Sequence, residues 1–209
     1  MRSITEALIL LSDYKIVHSD LKPDNILMEL NKSADDFDKL KLIDFGSAYS
    51  FEEAGSISMA TPEYMPPEVL ELILNSNKYT GPHKSQIEAL SEVSQPWSVD
   101  VWSLASIVLE ILIGIPHWIS YKCKITGKKG KEILKTGLFA VKGRTYDKII
   151  AKQKNLIENL EAKLEECLDV QDPNNQKLCD LLIKMFEWNP KKRISPEEIV
   201  KHPFLNINI

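Results

Sequence analysis

The sequence predicts a mainly α fold, in which a lobe of helices surrounds one buried central helix and carries a small β-hairpin. Residues 98–113 are apolar on nearly every side, which indicates a helix that is buried all round. Apolar residues recur at helical spacing in 155–168 and 178–186, whereas only 26–30 and 40–43 have the character of strands. The chain has 209 residues, of which 44% are apolar, so it is long enough to bury a core.

The first third of the chain contains the predicted hairpin. Residues 3–14 are interpreted as the end of a helix. Ile26–Leu30 and Leu40–Ile43 are predicted as two short strands, and the polar stretch 31–38 between them as a turn. Residues 44–66 show no sustained period and contain two glycines and two prolines, which predicts a long loop.

The second half of the chain is predicted to be helical. Within 155–168, leucines recur at every fourth position, at Leu156, Leu160, Leu164 and Leu168. Within 178–186 the apolar stripe is cleaner, with Leu178, Leu181, Leu182, Met185 and Phe186. A last helix is predicted to begin with Ser195 as its N-cap, Pro196 in the first turn and Glu198 completing a capping box.

Composition and charge argue against several classes of protein. The chain has 26 Lys or Arg against 30 Asp or Glu, and a net charge of −4 gives no sign of a nucleic-acid or membrane partner. Cys123, Cys167 and Cys179 are too few and too scattered for a disulfide framework or a CxxC zinc site, which favours reduced thiols. No signal peptide is recognised, and no charge-free stretch approaches the roughly 18 residues of a membrane span. We therefore expect a soluble, cytoplasmic protein.

The charge is distributed unevenly along the chain. Residues 1–100 have eight basic and 17 acidic side chains, whereas residues 101–209 have 18 basic and 13 acidic ones. Most of the positive excess lies in Lys122–Lys154, where 11 Lys or Arg residues oppose Glu132 and Asp147. This segment is either a solvated surface or a docking surface for an acidic partner.

Two polar clusters frame the predicted hairpin. His18-Ser19-Asp20-Leu21-Lys22-Pro23-Asp24-Asn25 comes directly before the first strand, and Asp44-Phe45-Gly46 comes directly after the second. Pairing of the strands would bring the side-chain oxygens of Asn25 and Asp44 close together. Such hard oxygen ligands suit Mg²⁺ when a phosphate supplies the remaining ligands. We predict that one magnesium ion, with ligand bonds of about 2.1 Å, can bridge them.

Asp20 and Lys22 lie two positions apart on the same constrained loop, so a carboxylate and an ammonium can converge on one transferring group. Such a pair suits a reaction that needs a proton acceptor for a hydroxyl and a cation for a phosphoryl oxygen.

Three other polar residues have a structural role as one interpretation. We expect His18 to hold the loop by hydrogen bonds rather than bind a metal, and Asp100 to accept backbone donors at a buried helix start. Asp44 has capping of a turn as its alternative role.

The two clusters resemble motifs of the eukaryotic protein kinases. Residues 18–25 are similar to the catalytic loop of that family, and Asp44-Phe45-Gly46 to its magnesium motif. The resemblance implies an ATP- and Mg²⁺-dependent enzyme. Asp20 would be the catalytic base for the substrate hydroxyl, and Lys22 would contact the γ-phosphate. The residues that would hold magnesium and nucleotide are Asn25, Asp44 and, beneath the adenine, Leu27.

Later motifs follow in the order of the same family. Pro67-Glu68 resembles the end of the activation segment, and Asp100-Val101-Trp102-Ser103-Leu104 the start of the central helix. Arg193 lies where the family has an arginine that pairs with that glutamate, and His202-Pro203-Phe204 matches its usual ending. The resemblance therefore predicts a buried ion pair between Glu68 and Arg193, although 125 positions separate them.

The resemblance covers only part of a kinase domain, because the sequence contains no Gly-x-Gly-x-x-Gly and no Val-Ala-x-Lys strand. It implies that residues 1–209 are the C-terminal lobe, with an activation segment at 44–68 and an insertion at 72–95. Lys22 and Thr61 are typical of kinases that act on Ser or Thr of protein substrates. Ser19 replaces an arginine that pairs with a phosphate in the family. A non-catalytic scaffold remains the alternative to an enzyme.

Overall fold

The helix of residues 98–113 lies at the centre of the fold, as predicted. The computed structural model describes residues 1–30, 37–58, 61–75, 84–114, 122–126, 132–136 and 146–206. The helices are α1 (Arg2–Asp13), α2 (Pro67–Leu74), α3 (Gln86–Ser91), α4 (Ser98–Ile113), α5 (Tyr146–Glu158), α6 (Leu160–Glu165), α7 (Pro173–Met185) and α8 (Pro196–Lys201). The strands are β1 (Ile16–Val17), β2 (Ile26–Leu30), β3 (Phe37–Leu42), β4 (Tyr49–Ser50), β5 (Lys122–Thr126) and β6 (Glu132–Thr136).

The central helix α4 is buried over most of its length. Every side chain from Ser98 to Ile107 is buried, and the helix ends at Gly114, whose φ of 82° is the left-handed C-cap that glycine adopts without strain. The buried hydroxyls of Ser103 and Ser106 donate to carbonyl oxygens one turn back, at 3.1 and 2.9 Å. The Ser103 hydroxyl also lies 2.8 Å from the carbonyl oxygen of Tyr64. Polar side chains are therefore tolerated inside this helix because carbonyl oxygens of the helix and of the segment before α2 accept their hydrogen bonds.

The predicted hairpin forms, with β2 and β3 antiparallel and Ile26 opposite Leu42. The first strand has the predicted bounds. The second begins at Phe37, so its first two residues were wrongly assigned to the turn; the rest of that turn, 31–36, lies outside the described residues. Ile43 follows the strand, and its N–H donates to the carbonyl of Asn25 at 3.0 Å. Asn25 and Asp44 consequently lie at the same end of the hairpin.

The predicted long loop 44–66 contains more structure than its sequence indicates. Phe45–Ser47 forms a 3₁₀ turn, and β4 pairs antiparallel with β1, with Val17 opposite Tyr49. The N–H of Phe51 extends this pairing by donating to the carbonyl of Lys15 at 2.9 Å. Two-residue strands were missed because they are too short to show an alternating pattern.

The leucine stripe of 155–168 belongs to two helices rather than one. The helical conformation is interrupted at Asn159, which has φ −120° and ψ 18°, so α5 ends before this residue and α6 begins after it. Leu156, Leu160 and Leu164 are nevertheless all buried. Helix α7 buries the predicted stripe, and α8 begins with the predicted capping box of Ser195 and Glu198.

Helix α3 and the β5–β6 hairpin were not predicted. Helix α3 lies inside the predicted insertion 72–95 and starts with a capping box of Ser85 and Glu88. The antiparallel pair β5–β6 lies inside the lysine-rich segment Lys122–Lys154, only parts of which are among the described residues. Within the part of the chain that the structure describes, no helix is long and apolar enough to cross a membrane.

A buried ion pair joins the two halves of the fold, which confirms the predicted contact of Glu68 and Arg193. Arg193 donates to the two Glu68 oxygens at 2.7 and 3.2 Å, and its side chain is 0% exposed. The same guanidinium donates to the carbonyl of Ser98 at 2.7 Å and lies 4.9 Å above the ring of Trp102. Arg193 therefore connects the start of α2, the first turn of α4 and the segment before α8.

Removing one partner of this pair should destabilise the fold strongly. We expect Glu68→Ala to lower the free energy of unfolding by about 3–5 kcal/mol, because it leaves a buried guanidinium without its counter-charge. Urea unfolding followed by tryptophan fluorescence measures the change. Glu166→Ala is the matched control: it breaks the exposed pair with Lys163 and should change stability by less than about 1 kcal/mol. Equal effects of the two substitutions would contradict the prediction.

Candidate active site

The loop 18–25 between β1 and β2 is held in place by the N-terminal turn of α4. Asp100 accepts the backbone N–H of His18 at 2.8 Å and that of Ser19 at 3.0 Å. Burial raises the pKa of Asp100, while the hydrogen bonds from these two N–H groups oppose the rise. The predicted structural role of Asp100 is confirmed, since both of its oxygens serve the loop.

His18 connects this loop to the hairpin. Its side chain is fully buried, and Nε2 lies 3.0 Å from the carbonyl oxygen of Ile43. Its ring also contacts that of Phe45, with centroids 4.7 Å apart. This confirms that His18 holds the loop by hydrogen bonding, and it couples the residues before β2 to those after β3.

Ser19 has a left-handed backbone conformation, with φ of 69°. A non-glycine residue in this region is strained by about 1–2 kcal/mol. The hydrogen bond from its N–H to buried Asp100 holds the conformation in place. The turn at Ser19 allows the next residue, Asp20, to leave the buried strand β1 and face the site.

Asp20 lies at the centre of a hydrogen-bond network. Lys22 Nζ donates to Oδ2 at 2.7 Å, and Asn25 Nδ2 donates to the same oxygen at 3.2 Å and to the Asp20 carbonyl at 2.8 Å. Thr61 donates to Oδ1 through both its N–H, at 3.0 Å, and its hydroxyl, at 2.7 Å. Lys22 also donates to the Thr61 hydroxyl at 3.0 Å. The structure thus brings Asp20 and Lys22 together, as predicted, and adds Asn25, which the sequence had placed only with Asp44.

The contact of Thr61 with Asp20 was not predicted. The resemblance implied for Thr61 only a role in substrate type; Thr61 and Asp20 are 41 positions apart, and no local pattern links them. The contact joins the far end of the loop 44–66 directly to the site.

Asp20 is held in its ionised form despite being buried. Burial by itself raises the pKa of its carboxyl, but the hydrogen bonds from Lys22 and Thr61 outweigh burial, so that the pKa lies below its ordinary value. The ionised Asp20 carboxylate stabilises the folded state fully above about pH 3.9, the ordinary pKa of Asp. This stabilisation is lost as the pH falls through the lowered pKa of Asp20.

Asn25 and Asp44 provide the oxygens that the sequence selected for a metal. The amide nitrogen of Asn25 is engaged by Asp20, which leaves Oδ1 as its remaining polar atom. Asp44 is exposed, has φ of 61°, and accepts the N–H of Gly46 at 3.3 Å, so it caps a turn as its alternative role required. One amide oxygen and one carboxylate fit Mg²⁺ chemically. That a single ion bridges them stays a prediction.

Large apolar side chains in β2 and in the turn after Asp44 are exposed to solvent. Leu27 is 51% exposed, Met28 59% and Phe45 48%. The accessible side chain of Leu27 is compatible with the floor beneath an adenine, which stays a prediction.

A group of carboxylates lies on the other side of Asp20, and the sequence did not select it. Glu63 is only 3% exposed, and burial raises its pKa, with smaller contributions from Glu110 and Asp20. Tyr64 donates its hydroxyl to Glu110 at 2.5 Å, and burial together with this bond raises the pKa of Tyr64. This side of the site is therefore acidic, with Lys22 as the nearby cation that lowers the pKa of both Asp20 and Glu63.

Comparisons with known proteins agree on one family. A model of the protein kinase domain matches residues 1–205. The chain is 28% identical to the dual specificity protein kinase CLK1 of Homo sapiens, over 98% of this chain and 43% of that protein. It is 26% identical to the serine/threonine-protein kinase ATG1c of Arabidopsis thaliana, over 99% of this chain and 21% of that protein. It is 27% identical to the mitogen-activated protein kinase HOG1 of Wallemia muriae, over 91% of this chain and 59% of that protein. The chain thus spans less than two thirds of each relative.

Removing the ammonium from the network should change the titration of Asp20. We expect Lys22→Met to raise the pKa of Asp20, because burial then acts against a weaker set of hydrogen bonds. A carboxyl ¹³C NMR titration measures the pKa. The matched control is Lys184→Met, which removes the cation that lowers the pKa of Asp180. It should raise the pKa of Asp180 and leave that of Asp20 unchanged. An unchanged Asp20 titration in Lys22→Met would contradict the prediction.

Proposed function

The chain belongs to the protein kinase family, and from this we propose that its site transfers the γ-phosphoryl group of ATP to Ser or Thr hydroxyls of protein substrates. The observation that carries the proposal is the position of the Asp20 carboxylate, which accepts hydrogen bonds from Lys22 Nζ and from the Thr61 hydroxyl, each at 2.7 Å. Phosphoryl transfer depends mainly on positioning and charge neutralisation. An acceptor and a cation held this close are the groups that such a reaction needs.

Asp20 is suited to orienting a hydroxyl rather than deprotonating it early. Its lowered pKa makes it a weak base, and in a loose transition state the hydroxyl proton leaves late, so weak basicity is sufficient. Each Asp20 oxygen already accepts two hydrogen bonds. A substrate hydroxyl would therefore displace the longest of them, that from Asn25 Nδ2 at 3.2 Å, and bond to Oδ2 beside Lys22.

Magnesium would be held by Asn25 Oδ1 and the Asp44 carboxylate, and when bound it neutralises phosphate charge. Lys22 would then bond to the γ-phosphate in place of Thr61, and Leu27 would lie beneath the adenine.

In this proposal, residues 1–209 form the C-terminal lobe of the domain, residues 44–68 are its activation segment and residues 72–95 are an insertion. The sequence contains no glycine-rich phosphate-covering motif, so these residues alone are expected to bind ATP weakly. That lack is also the observation that favours the second candidate, a non-catalytic kinase-like scaffold. A cytoplasmic location and an acidic partner for the Lys122–Lys154 segment stay predictions.

Substitution of Asp20 should separate turnover from nucleotide binding. In a domain completed with the glycine-rich lobe of a relative, we expect Asp20→Asn to reduce magnesium-dependent phosphate transfer to a peptide by at least about 100-fold, the usual effect of losing a proton acceptor. ATP affinity should stay nearly unchanged, because Asp20 acts on the hydroxyl. Radiolabel transfer and nucleotide titration measure the two effects, with exposed Asp147→Asn as the control. No transfer above the Asp20→Asn background would favour the scaffold.

Substitution of Asp44 should instead weaken metal binding. We expect Asp44→Asn to lower the affinity for Mg²⁺ and its nucleotide complex, because it removes a charged ligand from a divalent cation. NMR shifts of the Asn25 side-chain amide on titration with MgCl₂ report binding without any need for activity. Asp147→Asn should titrate like the unsubstituted chain. Shifts at Asn25 that survive Asp44→Asn unchanged would remove Asp44 from the proposed site.

A further inference from the structure

Helix α5 buries three side chains at helical spacing, and the middle one is polar. Ile149, Gln153 and Leu156 are 3%, 0% and 5% exposed, so they form one stripe that faces the core. A glutamine is unusual in such a stripe, because its amide must find hydrogen-bond partners away from water. Gln153 therefore departs from the apolar pattern of its own helix face, and departures of this kind are expected at functional sites.

The amide of Gln153 reaches the segment that precedes α2. Its Nε2 donates to the carbonyl oxygen of Met65 at 2.8 Å, although 88 positions separate the two residues. The Met65 side chain is 2% exposed, so this contact lies inside the protein. Among the residues that the structure describes, Oε1 of Gln153 has no hydrogen-bond partner, although it is buried too. One half of the amide is therefore bonded to Met65, and the other half is buried at a cost in free energy.

Residues 61–65 form a short folded unit that ends just before α2. The N–H of Tyr64 donates to the Thr61 carbonyl at 3.1 Å, and the N–H of Met65 donates to the Pro62 carbonyl at 3.4 Å. Two successive turns are thus closed within five residues. A displacement of Met65 is consequently transmitted to Thr61 through these turns.

Two helices hold neighbouring carbonyl groups at the Met65 end of this unit. Ser103 Oγ of α4 lies 2.8 Å from the Tyr64 carbonyl oxygen, and the Tyr64 hydroxyl donates to Glu110 of the same helix. Gln153 of α5 donates to the next carbonyl along the chain. Both α4 contacts are made to Tyr64, whereas the Met65 carbonyl is held from α5.

The opposite end of the unit contacts the candidate catalytic carboxylate. Thr61 donates its N–H and its hydroxyl to Asp20 Oδ1, at 3.0 and 2.7 Å. These are two of the four hydrogen bonds that the Asp20 carboxylate oxygens accept. The orientation of the Asp20 carboxylate therefore depends on the position of residues 61–65.

We propose that Gln153 is a positioning residue for this site: it holds the Met65 carbonyl and, through the turns of residues 61–65, keeps Thr61 against Asp20. The chain of contacts from Gln153 to Asp20 runs only through described residues. The positioning itself follows from these contacts. Its consequence for binding a substrate hydroxyl rests on the proposed function.

Hydrogen exchange on the 209-residue chain tests the positioning role without any requirement for activity. Gln153→Met keeps an unbranched side chain of similar length and removes the donor to the Met65 carbonyl. We expect the Thr61 and Tyr64 amides to exchange on the order of tenfold faster, as for the loss of one buried hydrogen bond. The substitution also removes the unpartnered Oε1, which offsets the lost bond in overall stability. Exchange in α4 should therefore stay near its original rate.

Gln176→Met is the matched control. Gln176 lies in α7, and its Nε2 donates to the Val170 carbonyl at 2.8 Å, which is the same kind of bond at the same distance. This substitution should leave exchange at Thr61 and Tyr64 at the original rate, because its bond does not involve residues 61–65.

Three results would overturn the proposal. The first is equal exchange at Thr61 in Gln153→Met and in the unsubstituted chain. The second is equally accelerated exchange throughout α4, or a failure of Gln153→Met to fold, because Gln153 would then support the whole fold rather than position one segment. The third is the same acceleration at Thr61 in Gln176→Met.

The catalytic consequence is tested in the completed domain. Gln153→Met should raise KM for a peptide several-fold and leave KM for ATP unchanged, because a less firmly held Asp20 carboxylate binds the substrate hydroxyl more weakly. A smaller folded fraction would instead lower kcat and change neither KM. An unchanged KM for the peptide would overturn this consequence. Absence of transfer even in the unsubstituted domain would count against the proposed function, while the exchange measurements would still decide whether Gln153 positions residues 61–65.

Discussion

The site depends on one interaction: the buried carboxylate of Asp100 accepts hydrogen bonds from two backbone N–H groups. It holds His18 and Ser19 in position from the first turn of the central helix. Once His18 is fixed, its ring reaches the carbonyl of Ile43 and sets the end of the hairpin. Once Ser19 is fixed in its left-handed conformation, Asp20 faces Lys22 and Thr61. A carboxylate outside the reacting groups thus determines where those groups lie.

The same turn of the central helix also receives the second polar network of the fold. Arg193 bonds to the carbonyl of Ser98 and covers the ring of Trp102 while it neutralises Glu68. Helix α4 therefore positions two parts of the fold. One is the loop 18–25 with the candidate catalytic residues, and the other comprises the segments around Glu68 and Arg193. Such buried polar contacts are favourable only when all partners are present, which gives the fold one well-defined arrangement at this point.

The sequence predicted those parts of the fold that have a local pattern. The even burial of α4, the stripe of α7 and the cap at Ser195 could be predicted because period and capping chemistry are local. The Glu68–Arg193 pair was predicted from the resemblance alone. The contact of Thr61 with Asp20 could not be predicted, since it is a hydrogen bond between two irregular segments with no period. The break at Asn159 was missed because the leucine stripe continues through it.

The buried ion pair has a consequence for how the chain folds. Glu68 and Arg193 are 125 positions apart, and His18 and Asp100 are 82 apart, yet both contacts meet at the first turn of α4. Contacts of such long sequence separation form slowly, because the closure of large loops must precede them. During synthesis from the N-terminus, Glu68 is made 125 residues before Arg193, so its carboxylate lacks its counter-charge until Arg193 has been added. Until then, the start of α2 holds an unpaired anion that favours hydration over burial, so the final docking of this region is delayed until Arg193 arrives.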